Sequence, residues 1–310
     1  MLINYIAKRL LWLFPIMLGV ITLVFFLIHL IPGDPVDIML GETAQAMDKQ
    51  ALRRELGLDK PISRQYVDFL INLSRGNLGR SLHSRQPVLS LIMQKYPATL
   101  ELMLAAVLTA LFISLPLGII SALKHHSLVD HGSLILSLLG ISMPNFWLGP
   151  LLIILFSLKL GLLPISGRGG ILHLILPAIT LGTSMSAILT RMVRSGLMDV
   201  LEEDYMTTAR AKGLSYRRVI LKHALKNALI PVITIVGLQI GALLTGSIIT
   251  EMIFAWPGLG RLTIQAIYTR DYPLIQGCVL SVAISYVLVN LLTDLAYTII
   301  DPRIRYDYQR

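Results

Sequence analysis

Three histidines, His125, His126 and His131, lie close together beside Asp130, and such a cluster could in principle hold a metal ion. A stable metal site usually needs further carboxylate or thiolate ligands at suitable spacing. Asp130 is the only acidic residue near them, and the single cysteine, Cys278, lies in a distant apolar stretch. Because metal-free histidines are common in solvated turns, the pattern favours a polar turn, and no metal site is predicted.

A phosphate-binding loop would be needed if the chain itself used ATP. The sequence contains no Gly-x-x-x-x-Gly-Lys-Ser/Thr pattern, and the glycines Gly167, Gly169 and Gly170 are followed by no lysine of the required form. We therefore expect this chain to bind neither ATP nor another cofactor.

Ionisable residues inside apolar segments would indicate an ion-coupled carrier, since buried charge is costly and is kept for function. Glu101, Glu251 and Asp294 lie near the ends of their apolar segments. The sequence also offers no convergent set of nucleophile, base or metal ligands. An enzyme is not expected, and a channel or ion-coupled carrier that works alone is kept as an alternative.

The elements that carry these residues are strongly apolar. The chain has 310 residues, of which 55% are hydrophobic and 15% charged, and its mean hydropathy is +0.70. These values are typical of a membrane protein. The net charge of +9 does not indicate a nucleic-acid partner, because the basic residues lie between apolar runs and not on one soluble face.

Apolar stretches of roughly 20 residues can cross a bilayer as helices, and six stretches reach that length. The first follows Lys8 and Arg9; it is longer than a signal-peptide core and lacks a small-residue cleavage site, so we expect it to be retained. Pro116, Pro144 and Pro177 are expected to kink their spans. The predicted fold class is an all-α polytopic membrane protein with spans at Leu10 to Ile31, Ala98 to Leu123, Leu134 to Leu158, Ile171 to Thr190, Ile230 to Ile253, and Leu274 to Ile300.

The basic residues of the short loops fall mostly on one side when both termini are placed in the cytoplasm, as the positive-inside rule requires. Residues 1–97 then hold the first span and a long outer loop, since segments of more than about 60 residues translocate largely regardless of charge. Within that loop, Leu52 to Leu56 and Gln65 to Leu73 are predicted as short surface helices. Residues 98–300 hold five further spans with a cytoplasmic loop at 191–229, and residues 301–310 form a short cytoplasmic tail.

The cytoplasmic loop at 191–229 is too polar to cross the membrane, and its pattern predicts two surface helices. Acidic residues from Asp199 to Asp204 favour the N-terminus of a helix that runs through Tyr205 to Lys212. Gly213 supplies a break. Ser215 can then cap a second helix that continues into the fifth span.

The second helix has a cationic face, in which Arg218, Lys222 and Lys226 recur every four residues. Its opposite face is apolar and consists of Ile220, Leu221, Ala224, Leu225, Ala228 and Leu229. One interpretation is that the cations anchor the helix to anionic lipid headgroups. The other is that the first helix docks on another protein, because its small residues let a partner's groove approach the backbone. Those small residues are Thr207, Thr208, Ala209 and Ala211.

The same loop resembles the EAA loop of binding-protein-dependent ABC importer permeases, in the version of the dipeptide, oligopeptide and nickel group. The segments that carry the resemblance are Asp204-Tyr205-Met206, Thr208-Ala209-Arg210-Ala211-Lys212-Gly213 and His223-Ala224-Leu225-Lys226-Asn227-Ala228-Leu229-Ile230-Pro231. The general motif has Glu-Ala-Ala where this chain has Thr207-Thr208-Ala209, and a proline where Lys226 stands. Further similar segments are Pro32-Gly33-Asp34-Pro35, Leu56-Gly57-Leu58-Asp59 with Pro61, Gln65-Tyr66, Ser142-Met143-Pro144, Arg270-Asp271-Tyr272-Pro273 and Asp301-Pro302-Arg303.

The resemblance implies a type I ABC importer transmembrane domain in a bacterial inner membrane. Its partners would be a second, homologous permease subunit, two ATPase subunits that hold ATP and Mg, an extracytoplasmic solute-binding protein and membrane lipid. The imported solute would be a di- or oligopeptide, with nickel, a metal chelate or a glutathione-like peptide as alternatives. The residues expected to enter the ATPase groove are Thr207, Thr208, Ala209, Arg210, Ala211, Lys212 and Gly213. Aspartate at Ala209 is expected to uncouple ATP hydrolysis from uptake without affecting membrane insertion.

The turn after the fifth span has two interpretations. Its residues are Phe254 and then Trp256, Pro257, Gly258, Leu259, Gly260 and Arg261. The resemblance suggests an outer gate that faces the binding protein. A tight turn with a tryptophan at the level of the lipid headgroups explains the same residues, and it is favoured because such aromatic belts are common.

Overall fold

A computed structural model describes residues 2–30, 35–40, 45–55 and 57–300. These residues are largely helical, and their only extended pairing is an isolated bridge between Arg80 and Pro87. The all-α fold class is therefore confirmed. The helices are α1 (Leu2–Leu30), α2 (Pro35–Leu40), α3 (Ala46–Glu55), α4 (Ile62–Ser74), α5 (Val88–Leu123), α6 (Leu128–Ser142), α7 (Asn145–Leu152), α8 (Ile171–Leu201), α9 (Asp204–Ala211), α10 (Tyr216–Arg218), α11 (Leu225–Ile253), α12 (Leu259–Tyr268) and α13 (Tyr272–Ile300), with π-helical segments at Ile153–Lys159 and Val219–Ala224.

Several of these helices can cross a membrane. Four continuous segments are long and apolar enough, namely Val88–Leu123, Ile171–Leu201, Tyr216–Leu244 and Tyr272–Leu295, and the pair Leu128–Ser142 and Asn145–Lys159 can supply a fifth span. Helix α1 contains a further apolar segment, Phe14–Phe26. The multi-pass architecture is confirmed. The count of six spans and the cytoplasmic location of both termini stay predictions, and residues 301–310 lie outside the described ranges.

The third predicted span, Leu134 to Leu158, is not one continuous helix. It breaks between Leu128–Ser142 and Asn145–Lys159, and the bend between these two helical segments is 105°. Met143 is extended, with φ −84° and ψ 113°, and Pro144 precedes the first residue of α7. A residue before proline avoids the helical conformation, so Pro144 does more than kink this span. Pro116 and Pro177, by contrast, lie inside the uninterrupted helices α5 and α8.

The chain forms two compact units, and the first consists of Met1–Thr99 and Pro257–Ser285. The two short helices predicted after the first span are confirmed as α3 and α4, while Leu56 and the Pro32-Gly33-Asp34 segment lie outside the described residues. In this loop Lys60 donates a hydrogen bond to Asp68 at 2.8 Å, which together with its charge lowers the pKa of that carboxyl. The core of the unit contains Val24, Val88, Ile92, Leu259, Leu262, Ala266, Leu274, Ile275 and Cys278.

Asp271 of the Arg270-Asp271-Tyr272-Pro273 segment organises part of this unit. It is buried, and its Oδ1 accepts a hydrogen bond from the Leu274 N–H at 3.2 Å, at the start of α13. Its Oδ2 accepts hydrogen bonds from Ser81 Oγ at 2.5 Å and the His83 N–H at 3.3 Å. The carboxylate therefore caps a helix and holds the preceding loop in place, which is a structural role.

The second unit consists of Leu100–Trp256 and Tyr286–Arg310, and in it α8 packs against α6, α7 and α11. Buried residues recur every four positions along α8, at Leu181, Met185, Leu189, Val193 and Leu197. A side chain at Gly182 would place its Cβ 2.8 Å from the backbone oxygen of Ala106 in α5. Small residues allow membrane helices to approach in this way, so α5 and α8 are closely packed.

Candidate functional site

The loop at 191–229 begins later in the structure than the sequence suggests. Helix α8 continues through Arg191 without interruption and ends at Leu201. After a short turn, α9 spans Asp204–Ala211 and is preceded by Glu203 in an extended conformation. The predicted span ended at Thr190 because polar residues follow it. In the structure α8 continues past these residues, so their polarity does not mark the end of the helix.

The predicted break at Gly213 is confirmed. The N–H of Lys212 donates to the carbonyl of Thr208 at 3.1 Å, and the N–H of Gly213 donates to that of Arg210 at 3.0 Å. Gly213 has φ +73°, a left-handed conformation that favours glycine at the end of a helix. Ser215 stands at the N-cap position of α10, but its side chain makes no capping hydrogen bond.

A buried cluster, which we call the α9 seat, holds α9 against the rest of the unit. Met206 and Ala209 are its members from α9, with 0% and 7% exposure. Asn227 of α11 also donates a hydrogen bond to Tyr205 Oη at 2.8 Å. The α9 seat consists of Ala122 of α5, Leu197 of α8, Met206 and Ala209 of α9, and Val219, Ala224 and Ala228.

The outer face of α9 is exposed and lies opposite the α9 seat. At about 100° per residue, Thr208 and Ala211 point away from Met206 and Ala209. The exposed residues from the predicted coupling set are Thr207, Thr208, Arg210, Ala211, Lys212 and Gly213. Ala209 is not among them, because its side chain packs into the α9 seat. An aspartate at Ala209 would introduce a charge into that packing, so this substitution addresses the stability of the seat and not the outer face.

The cationic face of the second helix is present, but its apolar face differs from the prediction. Arg218, Lys222 and Lys226 are exposed, and Ile220, Ala224 and Ala228 are buried. Leu221, which was expected on the apolar face, is 61% exposed. Val219–Ala224 is a π-helix, whose i→i+5 hydrogen bonds lengthen the repeat, so a pattern read at 3.6 residues per turn fails there.

The turn after α11 is buried, which contradicts the interpretation of Trp256 as a tryptophan at headgroup level. Trp256 has 0% exposure and Phe254 has 1%. The chain reverses at Ala255, with φ +48°, and the Trp256 N–H donates to the carbonyl of Glu251 at 2.8 Å. The sharp reversal turns both rings into the protein, so an aromatic belt does not account for them. The sequence predicted the tight turn itself but gave no signal for the burial of Trp256.

Arg168 lies beside this turn, and sequence reasoning assigned it no role. Its Nε and Nη2 contact Glu101 Oε2 at 2.8 and 2.6 Å, and its guanidinium carbon lies 6.0 Å from the Trp256 ring centroid. Of the remaining residues of the candidate gate, Pro257 and Gly258 precede α12, while Leu259, Gly260 and Arg261 begin it. Leu259 and Gly260 are buried and Arg261 is exposed. A gating role for Trp256 to Arg261 stays a prediction.

Asp130, the carboxylate beside the three histidines, forms an ion pair with an arginine. Asp130 binds Arg194 through both of its oxygens. The rings of His125 and His126 lie 3.7 Å apart. Among the described residues, no three His, Cys, Asp or Glu side chains are grouped so as to hold a metal ion.

Comparisons with known proteins agree over nearly the full length. Residues 114–306 match the family described as binding-protein-dependent transport system inner membrane component, and residues 2–103 match its N-terminal companion family. The chain is 49% identical to the di/tripeptide transport system permease protein DppB of Pseudomonas aeruginosa, with 98% of this chain and 99% of that protein covered.

Two further comparisons concern another substrate and the fold. The chain is 45% identical to the glutathione transport system permease protein GsiC of Pectobacterium atrosepticum, over 98% of this chain and all of that protein. It also resembles the structure of the MetNI methionine ABC transporter in an inward-facing conformation, with a TM-score of 0.55 and 17% identity over 69% of this chain and 97% of that chain. At 17% identity, the likeness to the MetNI structure supports the fold alone.

Proposed function

Because this chain belongs to the binding-protein-dependent transport system inner membrane components, we propose that it forms half of the pathway through which a bacterial ABC importer takes up short peptides. The chain is a multi-pass protein of the inner membrane, and it is a permease subunit, so ATP hydrolysis is carried out by its partner subunits. The peptide substrate is the part that we propose. It is supported by the 49% identity, over almost the whole chain, to a permease named for di- and tripeptides.

The glutathione relative is compatible with the same substrate class, because glutathione is itself a tripeptide. Nickel or a metal chelate is the alternative within the same architecture. The likenesses reported above favour peptides over nickel. In this importer the chain pairs with a second, homologous permease, and the two permeases receive solute from a binding protein and contact two ATPase subunits.

We further propose that the exposed face of α9 is the surface on which the ATPase docks. Three observations support it: α9 is a short helix with a small-residue outer face, the α9 seat fixes its inner face, and Gly213 ends it in a tight turn. The ATPase can move the permease only by the difference in its docking energy between its two states. Because α9 packs into the α9 seat, a movement of α9 driven by the ATPase displaces α5, α8 and α11 as well. The cationic face beyond it remains compatible with lipid anchoring.

Uptake of labelled solutes tests the substrate. In a strain that lacks this chain, we expect uptake of a radiolabelled dipeptide to fall to background and nickel uptake to remain unchanged, with restoration when the chain is supplied again. The matched control supplies the chain to a strain whose partner ATPase has lost its phosphate-binding lysine, where uptake should stay at background. Loss of nickel uptake alone would instead support the nickel importer, and uptake without a working ATPase would support a carrier that acts alone.

A further inference from the structure

Asp130, in the first turn of α6, is a carboxylate with only 2% of its side chain exposed. Arg194 of α8 binds it twice, from Nε to Oδ1 at 2.7 Å and from Nη2 to Oδ2 at 2.9 Å. Ser121 Oγ of α5 donates to Oδ1 at 2.5 Å, and the His126 N–H donates to Oδ2 at 3.0 Å. We call Asp130, Arg194 and Ser121 the Asp130 joint, since it connects α5, α6 and α8.

The geometry of the Asp130 joint restricts how the three helices move. A bidentate arginine and carboxylate pair fixes direction as well as distance. A buried charge that loses its partner is strongly unfavourable, so the ends of α6 and α8 stay together when either one moves. The turn between α5 and α6 also holds Asp130 in place. His126 in this turn adopts φ +60°, and its N–H donates a hydrogen bond to Asp130. Non-glycine residues adopt that conformation only when their surroundings require it.

The Asp130 joint and the α9 seat have two helices in common, α5 and α8. Ala122 of the seat directly follows Ser121 of the joint in α5, and Leu197 of the seat lies one turn beyond Arg194 in α8. Displacement of Met206 and Ala209 therefore acts on residues adjacent to Ser121 and Arg194. From there Asp130 carries the displacement into α6, the first half of the bent span.

We infer that Asp130 and Arg194 are positioning residues that transmit the movement of the α9 seat to α6 during transport. The inference rests on the proposed docking of the ATPase on α9. It goes beyond that docking by naming the route into a helix that α9 does not carry. The joint affects how much transport each ATP yields, and it leaves assembly with the ATPase intact.

The test measures dipeptide uptake per ATP hydrolysed by the whole importer, reconstituted in liposomes with its binding protein. Arg194→Lys keeps the charge but loses the bidentate geometry, and Asp130→Asn keeps the shape but loses the charge. Energetic coupling between sites commonly corresponds to about 5- to 150-fold, so we expect uptake per ATP to fall at least about fivefold in each variant. The ATPase should still co-purify in normal amounts.

Arg191→Lys is the matched control, since Arg191 is an exposed arginine on the same helix, and it should transport like the unaltered chain. If Arg194→Lys and Asp130→Asn do not accumulate in the membrane, Ser121→Ala tests the inference in their place. This substitution removes one hydrogen bond to Asp130 and keeps the ion pair, so a partial fall in uptake per ATP is expected. An unchanged ratio in the variants that accumulate, or a loss of ATPase co-purification that explains the whole defect, overturns the inference. If docking on α9 is wrong, Ala211→Arg leaves co-purification intact whatever the joint variants do.

Discussion

Replacing Ala211 with arginine will abolish uptake while the chain accumulates normally in the membrane. Ala211 is exposed and lies on the side of α9 opposite Met206 and Ala209, which fill the α9 seat. Arginine is a good helix former, and a cation is favourable near a helix C-terminus, so α9 itself should persist. Its long side chain nevertheless prevents a close approach of the ATPase. The few dominant contacts near the centre of a protein interface each contribute about 2 kcal/mol or more, which corresponds to a roughly 30-fold loss of affinity.

Two measurements check this result, namely labelled dipeptide uptake and co-purification of the ATPase with the permease. Ala51→Arg is the matched control, since Ala51 is an exposed alanine of another short helix, α3, on the side that the predicted topology places outside. It should leave ATPase co-purification unchanged. Normal uptake and normal co-purification with Ala211→Arg would contradict docking on this face of α9.

The helix, glycine turn and helix of this site could be predicted because the signals are local. Acidic residues before Tyr205, the glycine at Gly213 and the period of the cationic residues each depend on a few neighbouring positions. The same local reasoning predicted a kink at Pro144, where the structure has a break with a change of direction of 105°. The length of the apolar runs indicated the long apolar helices for the same reason.

The partners of individual side chains could not be predicted, because they depend on contacts between residues that are distant in sequence. Ala209 reads as a small docking residue, yet it is buried by α5 and α8 residues. Asp130 reads as part of a histidine group, yet Arg194, on another helix, binds it. Trp256 reads as a residue at a membrane surface, yet the reversal at Ala255 turns it inward. A π-helical segment displaces Leu221 from its expected face in the same way.

The close packing of α5 against α8 predicts a large loss of stability when Gly182 is replaced by a larger residue. A Cβ at Gly182 would lie 2.8 Å from the Ala106 backbone oxygen and 3.1 Å from Thr109 Cβ. A backbone oxygen cannot rotate out of the way as a side chain can, so any larger residue must separate α5 from α8. Those two helices also carry Ala122 and Leu197 of the α9 seat. Separation at Gly182 therefore reaches the coupling site as well as the core.

Replacing Gly182 with leucine will lower the free energy of unfolding by about 2 kcal/mol, and uptake will be lost with it. Overpacking a core costs up to about 3 kcal/mol, and leucine in place of glycine offsets about 1 kcal/mol of this because it favours helix formation. A net loss of stability can therefore only come from packing. Thermal unfolding of the purified chain in detergent measures the effect. Gly132→Leu is the matched control, because Gly132 is also helical and a Cβ added there would have no neighbouring atom within 4 Å; its melting temperature should be unchanged or higher. Equal melting temperatures for Gly182→Leu and the unaltered chain would show that α5 and α8 are not packed as closely as this structure has them.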